Sequence, residues 1–284
     1  MNFFDLVSVA VAVVGTGLSA YFDLRTTYIP DEITHAMIGI GAILLFFRYP
    51  LHMAISYLAV GALVFLIGFL LYTFGQVGGG DVKLFAGITL LLPEHIVHST
   101  IQSPFPPIIS IFFASAMLAT LFVSIKYMAM IYKKKEKIAS FHQKLTVGLV
   151  SAGLVFAVFV FLSTIERAML ILSIPIIAGL IVFPFKEDMV DMFMLKTKRV
   201  LDLTEDDIIA VDKLPDRIKS SLGIGVRRTY LNSELEKIKK KAKRHRIKEV
   251  YVYDNLPTFG IYIFLGLIIV LLVGDPMFFL FSHL

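Results

Sequence analysis

The sequence predicts an all-α polytopic membrane protein of about eight transmembrane helices, with six as the alternative count, and a small α+β domain before the last helix. Three observations carry that reading. Of 284 residues, 57% are hydrophobic and 17% charged, whereas a soluble domain is about half apolar and a quarter charged. Apolar runs close to the roughly 20 residues that a bilayer-spanning helix needs recur along the chain. One sizeable polar stretch, 186–257, interrupts them near the end. The chain thus divides into a membrane region at 1–185, a polar domain at 186–257 and a final helix at 258–284.

No Lys or Arg precedes the first apolar run, so Phe3 to Ala20 reads as a retained span and not a cleaved signal. That span is expected near 3–22, and others near 31–48, 51–74, 82–98, 107–131, 145–163, 166–185 and 258–281. The fourth is the weakest. Val82 to Leu92 reaches only about 16 Å as a helix before Pro93 and Glu94 intervene. A short element is tolerated at membrane depth only where protein or trapped water satisfies its backbone, which suits a site. The polar corner Ser163, Thr164, Glu166, Arg167 makes the sixth and seventh spans a helical hairpin.

Lys and Arg divide unevenly between alternate connections. One side carries Arg25, Lys83, five basic residues in 133–144 and seventeen in 186–257; the other carries Arg48 and Arg167. The excess marks the cytoplasmic side. A multi-pass protein of the cell membrane is expected, with both termini outside and with Asp23 and Asp81 at the cytoplasmic face.

Within 186–257, Thr204-Glu205-Asp206-Asp207 and Ser233-Glu234-Leu235-Glu236 both fit the Ser/Thr-x-x-acid signature of a helix start. Glu249 to Tyr253 alternates as a strand does and is ended by Asp254-Asn255-Leu256-Pro257. Residues 237–248 hold eight basic residues and no acidic one. They read as a helix face solvated beside anionic lipid headgroups, with an acidic partner as the alternative. No nucleic-acid-reading module accompanies them, so no nucleic-acid partner is expected.

Few ionisable residues fall at the spans. Asp5, Glu94, Lys126 and Asp275 lie near ends where they can reach an interface. Asp23 ends the first span, and Asp81 opens the fourth after Gly78, Gly79 and Gly80. Each aspartate alone reads equally as a helix-end carboxylate, and the glycines alone as a flexible turn. Together they point to chemistry. Two carboxylates brought close resist joint ionisation, so one holds a proton while the other stays a base. The base can activate water against a carbonyl, and the acid can protonate the oxygen or the departing nitrogen. No metal or cofactor is required, and with no cysteine in the chain thiolate chemistry is excluded. Glycines without β-carbons would let Asp81 approach Asp23 and leave backbone open to an extended substrate.

Gly78-Gly79-Gly80-Asp81-Val82-Lys83-Leu84 resembles the G-x-G-D-x-K-L segment of the type IV prepilin peptidases. Asp23, followed by Ile29-Pro30-Asp31, resembles their first aspartate segment, 58 residues earlier. The resemblance implies an aspartic endopeptidase that cuts basic leader peptides from precursors of pilin-like or archaeal flagellin-like subunits. Asp23 and Asp81 would be its catalytic pair, Gly78 and Gly80 the motif glycines, and Lys83 the motif lysine, with a structural or electrostatic role. Many bacterial members carry a cysteine-paired zinc segment between the first two spans. It is absent here, and methyltransferase activity has no support. The polar domain resembles the archaeal preflagellin peptidase branch.

Two other readings stay open. A presenilin or signal-peptide-peptidase type protease also uses a glycine-flanked Asp, but no Pro-Ala-Leu follows in the later spans. A non-enzymatic transporter or scaffold would use Asp81 and Lys83 at a broken helix as an ion site. That reading predicts internal pseudo-symmetry, which the sequence lacks.

Overall fold

The computed structural model describes residues 2–92, 106–163, 168–205, 207–254 and 256–275. The far end of the fourth expected span with Glu94, the Thr164–Arg167 part of the corner after Ser163, Asp206, Asn255 and the end of the last expected span lie outside them. The membrane region comprises α1 (Phe3–Thr26), α2 (Asp31–Arg48), α3 (Leu51–Thr73), α4 (Gly79–Leu91), α5 (Pro107–Lys133), α6 (Phe141–Leu162) and α7 (Ala168–Val182). Prolines stand at the entries to α2, α3 and α5, where a missing N–H is no loss. Among the described residues five helices are long and apolar enough to cross a membrane: α1, α3, α5, α6, and α7 with its continuation to Met194. The other three expected spans, α2, α4 and the last, form as helices of 18, 13 and 14 residues.

The path of α7 runs on past residue 185 through irregular turns to Met194. Met192, Phe193 and Met194 pack on a cluster built from Tyr127, Ile131, Phe141 and Phe185, which holds this stretch helical beyond the point where polarity begins to rise. Gly148 of α6 lies so close to α7 that a Cβ would stand 2.6 Å from the Ile181 carbonyl oxygen. Small residues let two helices approach closely where lipid offers no hydrophobic drive between them.

The helix that organises the membrane region is α4. At about 1.5 Å per residue it is about 20 Å long, too short for the ~30 Å hydrocarbon core, and it is enclosed by protein instead. Val82, Leu84, Phe85, Ala86, Ile88 and Leu91 are all buried. Notches receive it: a Cβ at Gly41 would meet Leu90 at 2.8 Å, and one at Gly68 would meet Val82 at 2.6 Å. By contrast, α3 buries only Ala54, Gly61 and Thr73 and turns Leu63, Leu66 and Leu70 outward. The end of α4 is closed by Arg48. Its Nη1 donates to the Leu91 carbonyl and its Nη2 to that of Leu90, both at 2.9 Å. Terminal carbonyls have no partner within their own helix, and at this depth a guanidinium fork satisfies two at once.

The polar domain is a three-stranded antiparallel sheet in the order β1 (Leu195–Arg199), β3 (Glu249–Tyr253), β2 (Ile208–Ile209), with α8 (Asp216–Leu222) and α9 (Asn232–His245). Strand β3 covers the predicted span, with Val250 and Val252 facing a core that Leu235, Ile238 and Ala242 of α9 complete. Helix α9 starts at Asn232, where Glu234 accepts the Leu231 N–H at 3.1 Å, close to the predicted start. The expected helix at Thr204–Asp207 does not form. Asp207 Oδ2 accepts the Thr204 N–H at 2.7 Å and its hydroxyl at 3.0 Å, so the capping chemistry closes a turn. The chain then enters β2, because Ile209 is needed in the core. From β3 it passes into the last helix, α10 (Gly260–Val273).

Replacing Arg48 by Ala should leave both carbonyls unsatisfied and lower stability by about 3 kcal/mol, read as a fall in unfolding midpoint in detergent. Arg48→Lys should recover less than half, because an ammonium cannot serve two carbonyls as a fork.

Candidate active site

Asp23 lies in the last turn of α1 on its inward face, which runs Asp5, Ser8, Ala12, Thr16, Ser19, Asp23 at helical spacing. Its side chain is 6% exposed. Oδ2 accepts the backbone N–H of Gly260, the first residue of α10, at 2.8 Å. A Cβ at Gly260 would stand 2.9 Å from that oxygen and 3.2 Å from Asp23 Cβ. Only glycine offers the amide without filling the space the carboxylate occupies.

Asp81 is the third residue of α4 and is 9% exposed. Its carboxyl turns back over the helix start, where a Cβ on Gly78 would be 2.8 Å from Oδ2. Oδ1 is buried with no hydrogen-bond partner. A Cβ on Gly80 would meet Ile29 Cβ at 2.8 Å, whereas one on Gly79 would reach only the ring edge of Tyr72, at 3.3 Å. None of the three has a positive φ. They are needed for close approach: Gly78 to seat the carboxyl of Asp81, and Gly80 to draw α4 against the Ile29–Pro30 segment that follows α1.

The packing of α1 against α4 brings the two carboxylates into one buried region, near enough for the charge of Asp23 to act on Asp81. Lys83 does not join them. Its Nζ pairs with Asp31 Oδ1 at 2.7 Å, with both side chains partly exposed, and so ties α4 to the first turn of α2. Two participants escaped the sequence reading. Asp31 figures there only in the Ile29-Pro30-Asp31 segment, and its pairing with Lys83, 52 residues away, has no local signal. Gly260 contributes a main-chain amide, and its signal in the sequence is a glycine opening the last apolar run. Among the described residues no three His, Asp or Glu side chains stand close enough to hold a metal ion. What the arrangement can supply is a buried acid and base.

Residues 10–125 match a known family, and that stretch holds both aspartates and all three glycines. It is the type IV leader peptidase family. The resemblance carried by the two aspartate segments therefore stands. Over 109 residues the chain is also 31% identical to the prepilin peptidase EppA of the archaeon Methanothermobacter thermautotrophicus. That match covers 36% of this chain and 28% of the length of the relative. No solved structure matches the chain.

The glycine contacts have a direct test. Gly80→Ala should destabilise the protein by about 1–3 kcal/mol, the usual cost of overpacking. Gly79→Ala should be neutral or slightly stabilising, because a ring edge can yield and alanine favours helix. Unfolding midpoints of the two variants, compared with the parent, check this.

Proposed function

We propose that the protein is an aspartic endopeptidase of the cell membrane. It removes basic leader peptides, at the cytoplasmic face, from precursors of pilin-like or archaeal flagellin-like subunits. The observation that carries the reading is the burial of Asp23 and Asp81 together, at the end of α1 and the start of α4, within the stretch that matches the leader peptidases. The excess of Lys and Arg in the connections on their side supports a cytoplasmic orientation.

In this mechanism the pair shares one proton, as two close carboxyls do. Asp23, already accepting the Gly260 N–H, is the ionised partner. Asp81, with Oδ1 buried and unpartnered, carries the proton. Asp23 takes a proton from a water as its oxygen bonds to the scissile carbonyl carbon, and Asp81 gives its proton to the carbonyl oxygen. The tetrahedral intermediate then collapses: the C–N bond breaks, the departing nitrogen takes the proton held on Asp23, and Asp81 recovers its own from the hydroxyl that becomes C=O. Gly78 and Gly80 shape the site and leave its rim low for an extended peptide. Lys83, paired with Asp31, fixes the start of α4.

The test is a cleavage assay with the membrane-embedded protein and a precursor bearing a basic leader. Asp23→Asn and Asp81→Asn should each abolish processing while inserting and accumulating like the parent. The parent should show a bell-shaped pH–rate profile, since one proton must remain on the pair. Full activity in either variant would sink the two-aspartate mechanism. Intact precursors together with altered ion flux would favour a transporter.

A further inference from the structure

We propose, building on the peptidase reading above, that the polar domain positions the aspartate pair, with Gly75 and the Arg228–Thr229 segment as its contact on Asp81's side. Helix α3 ends at Thr73, and only a short turn separates it from Gly78. Two of the carbonyls that end α3 accept from the domain, that of Tyr72 sharing its place with the Gly75 N–H at 2.8 Å. The Arg228 N–H donates to Thr73 O at 3.2 Å, and Thr229 Oγ1 donates to Tyr72 O at 3.2 Å. The Arg228 carbonyl in turn accepts the Ile209 N–H of β2 at 2.8 Å. One short segment thus joins the sheet to the end of α3.

Gly75 lies directly beneath that segment. Its φ is +65°, and a Cβ there would stand 3.1 Å from Arg228 Cδ and Ile208 Cγ2 and 3.2 Å from Arg228 Cβ. The turn therefore needs glycine twice over, for its left-handed backbone and for the nearness of the domain. Arg228 is itself held, 3.4 Å from Asp212 and over the Tyr253 ring. Burial alone would raise the Asp212 carboxyl, but the Tyr253 hydroxyl, donating at 2.7 and 2.6 Å, and the Arg228 charge outweigh it and hold Asp212 below its ordinary value.

The same domain is linked to Asp23 by its C-terminal exit. Strand β3 ends at Tyr253, and the chain then enters α10, whose first N–H holds Asp23 Oδ2. Each carboxylate is thus tied to the domain by a separate route, Asp81 through the α3 turn and Asp23 through the start of α10. The contact at the turn is a few hydrogen bonds beside an open cleft of about 640 Å³, lined in part by Phe74, Gln76, Val226 and Arg228, not a continuous apolar interface. Few buried apolar contacts make a junction easy to open. Docking of the domain sets the spacing of the pair, and undocking relaxes it.

The experiment measures leader cleavage and amide hydrogen exchange on the full chain in liposomes. It compares the parent with Gly75→Val, Thr229→Val and, as a control, Lys240→Ala on the exposed face of α9. In Gly75→Val, exchange over 74–84 should quicken and kcat should fall about tenfold or more, with KM within about twofold, because the pair is misplaced while the substrate still binds. Thr229→Val removes one donor and should give the same split at about threefold. Lys240→Ala should match the parent in both readouts. Quickened exchange with parental kcat, or a loss confined to KM, would overturn the proposal, as would parental exchange in Gly75→Val. If Gly75→Val is not recovered folded, Thr229→Val is judged by the same criteria. A parent protein that cleaves nothing counts against the peptidase reading alone, and parental exchange over 74–84 in both variants would still overturn this one.

Discussion

The bond on which the site depends is the one from the Gly260 N–H to Asp23 Oδ2. A carboxylate at the end of a membrane helix is costly unless something satisfies it. Here the first turn of the last helix does so, across 237 residues of sequence. The start of a helix has amides without partners of their own, so the bond settles two needs at once. It also makes the position of Asp23 a property of how the chain returns to the membrane after the polar domain. The proposal that this domain positions the pair follows from that dependence.

A second constraint comes from the length of α4. It carries Asp81 and is buried along most of its surface, so both of its ends must be satisfied within the protein. Arg48 closes one end on two carbonyls. At the other, Gly78 seats the Asp81 carboxyl and Gly80 brings the helix start against Ile29. The glycines of α2 and α3 serve the same purpose along its length, letting neighbouring backbones close around it. A short helix thus becomes a fixed one, which suits a group that must keep a set distance from a partner.

The pattern of apolar runs was enough to place each described helix from α1 to α7, though not the helical continuation from Lys186 to Met194, and the shortness of α4 already marked it as a site element. Alternation at Glu249–Tyr253 placed β3. The failures share a cause. Thr204–Asp207 carries a capping signature that serves equally to close a turn, and the demand for Ile209 in the core decides between them. Arg48, Asp31 and Gly260 matter through contacts with residues 42 to 237 positions away, which no local pattern encodes. Gly260 has no side chain to announce it at all. Both carboxylates were legible as an unusual pair, whereas what holds each of them in place was not.

The most direct test of the central claim, that Asp23 and Asp81 are neighbours in one buried site, needs no substrate. The chain has no cysteine, so Asp23→Cys combined with Asp81→Cys creates a unique thiol pair. It is treated in membranes with a bifunctional thiol reagent spanning about 6 Å, the reach over which one carboxylate perturbs another. An intramolecular crosslink, lost when either cysteine is omitted, is the expected result. Two singly modified thiols with no crosslink would contradict the shared site and, with it, the two-aspartate mechanism.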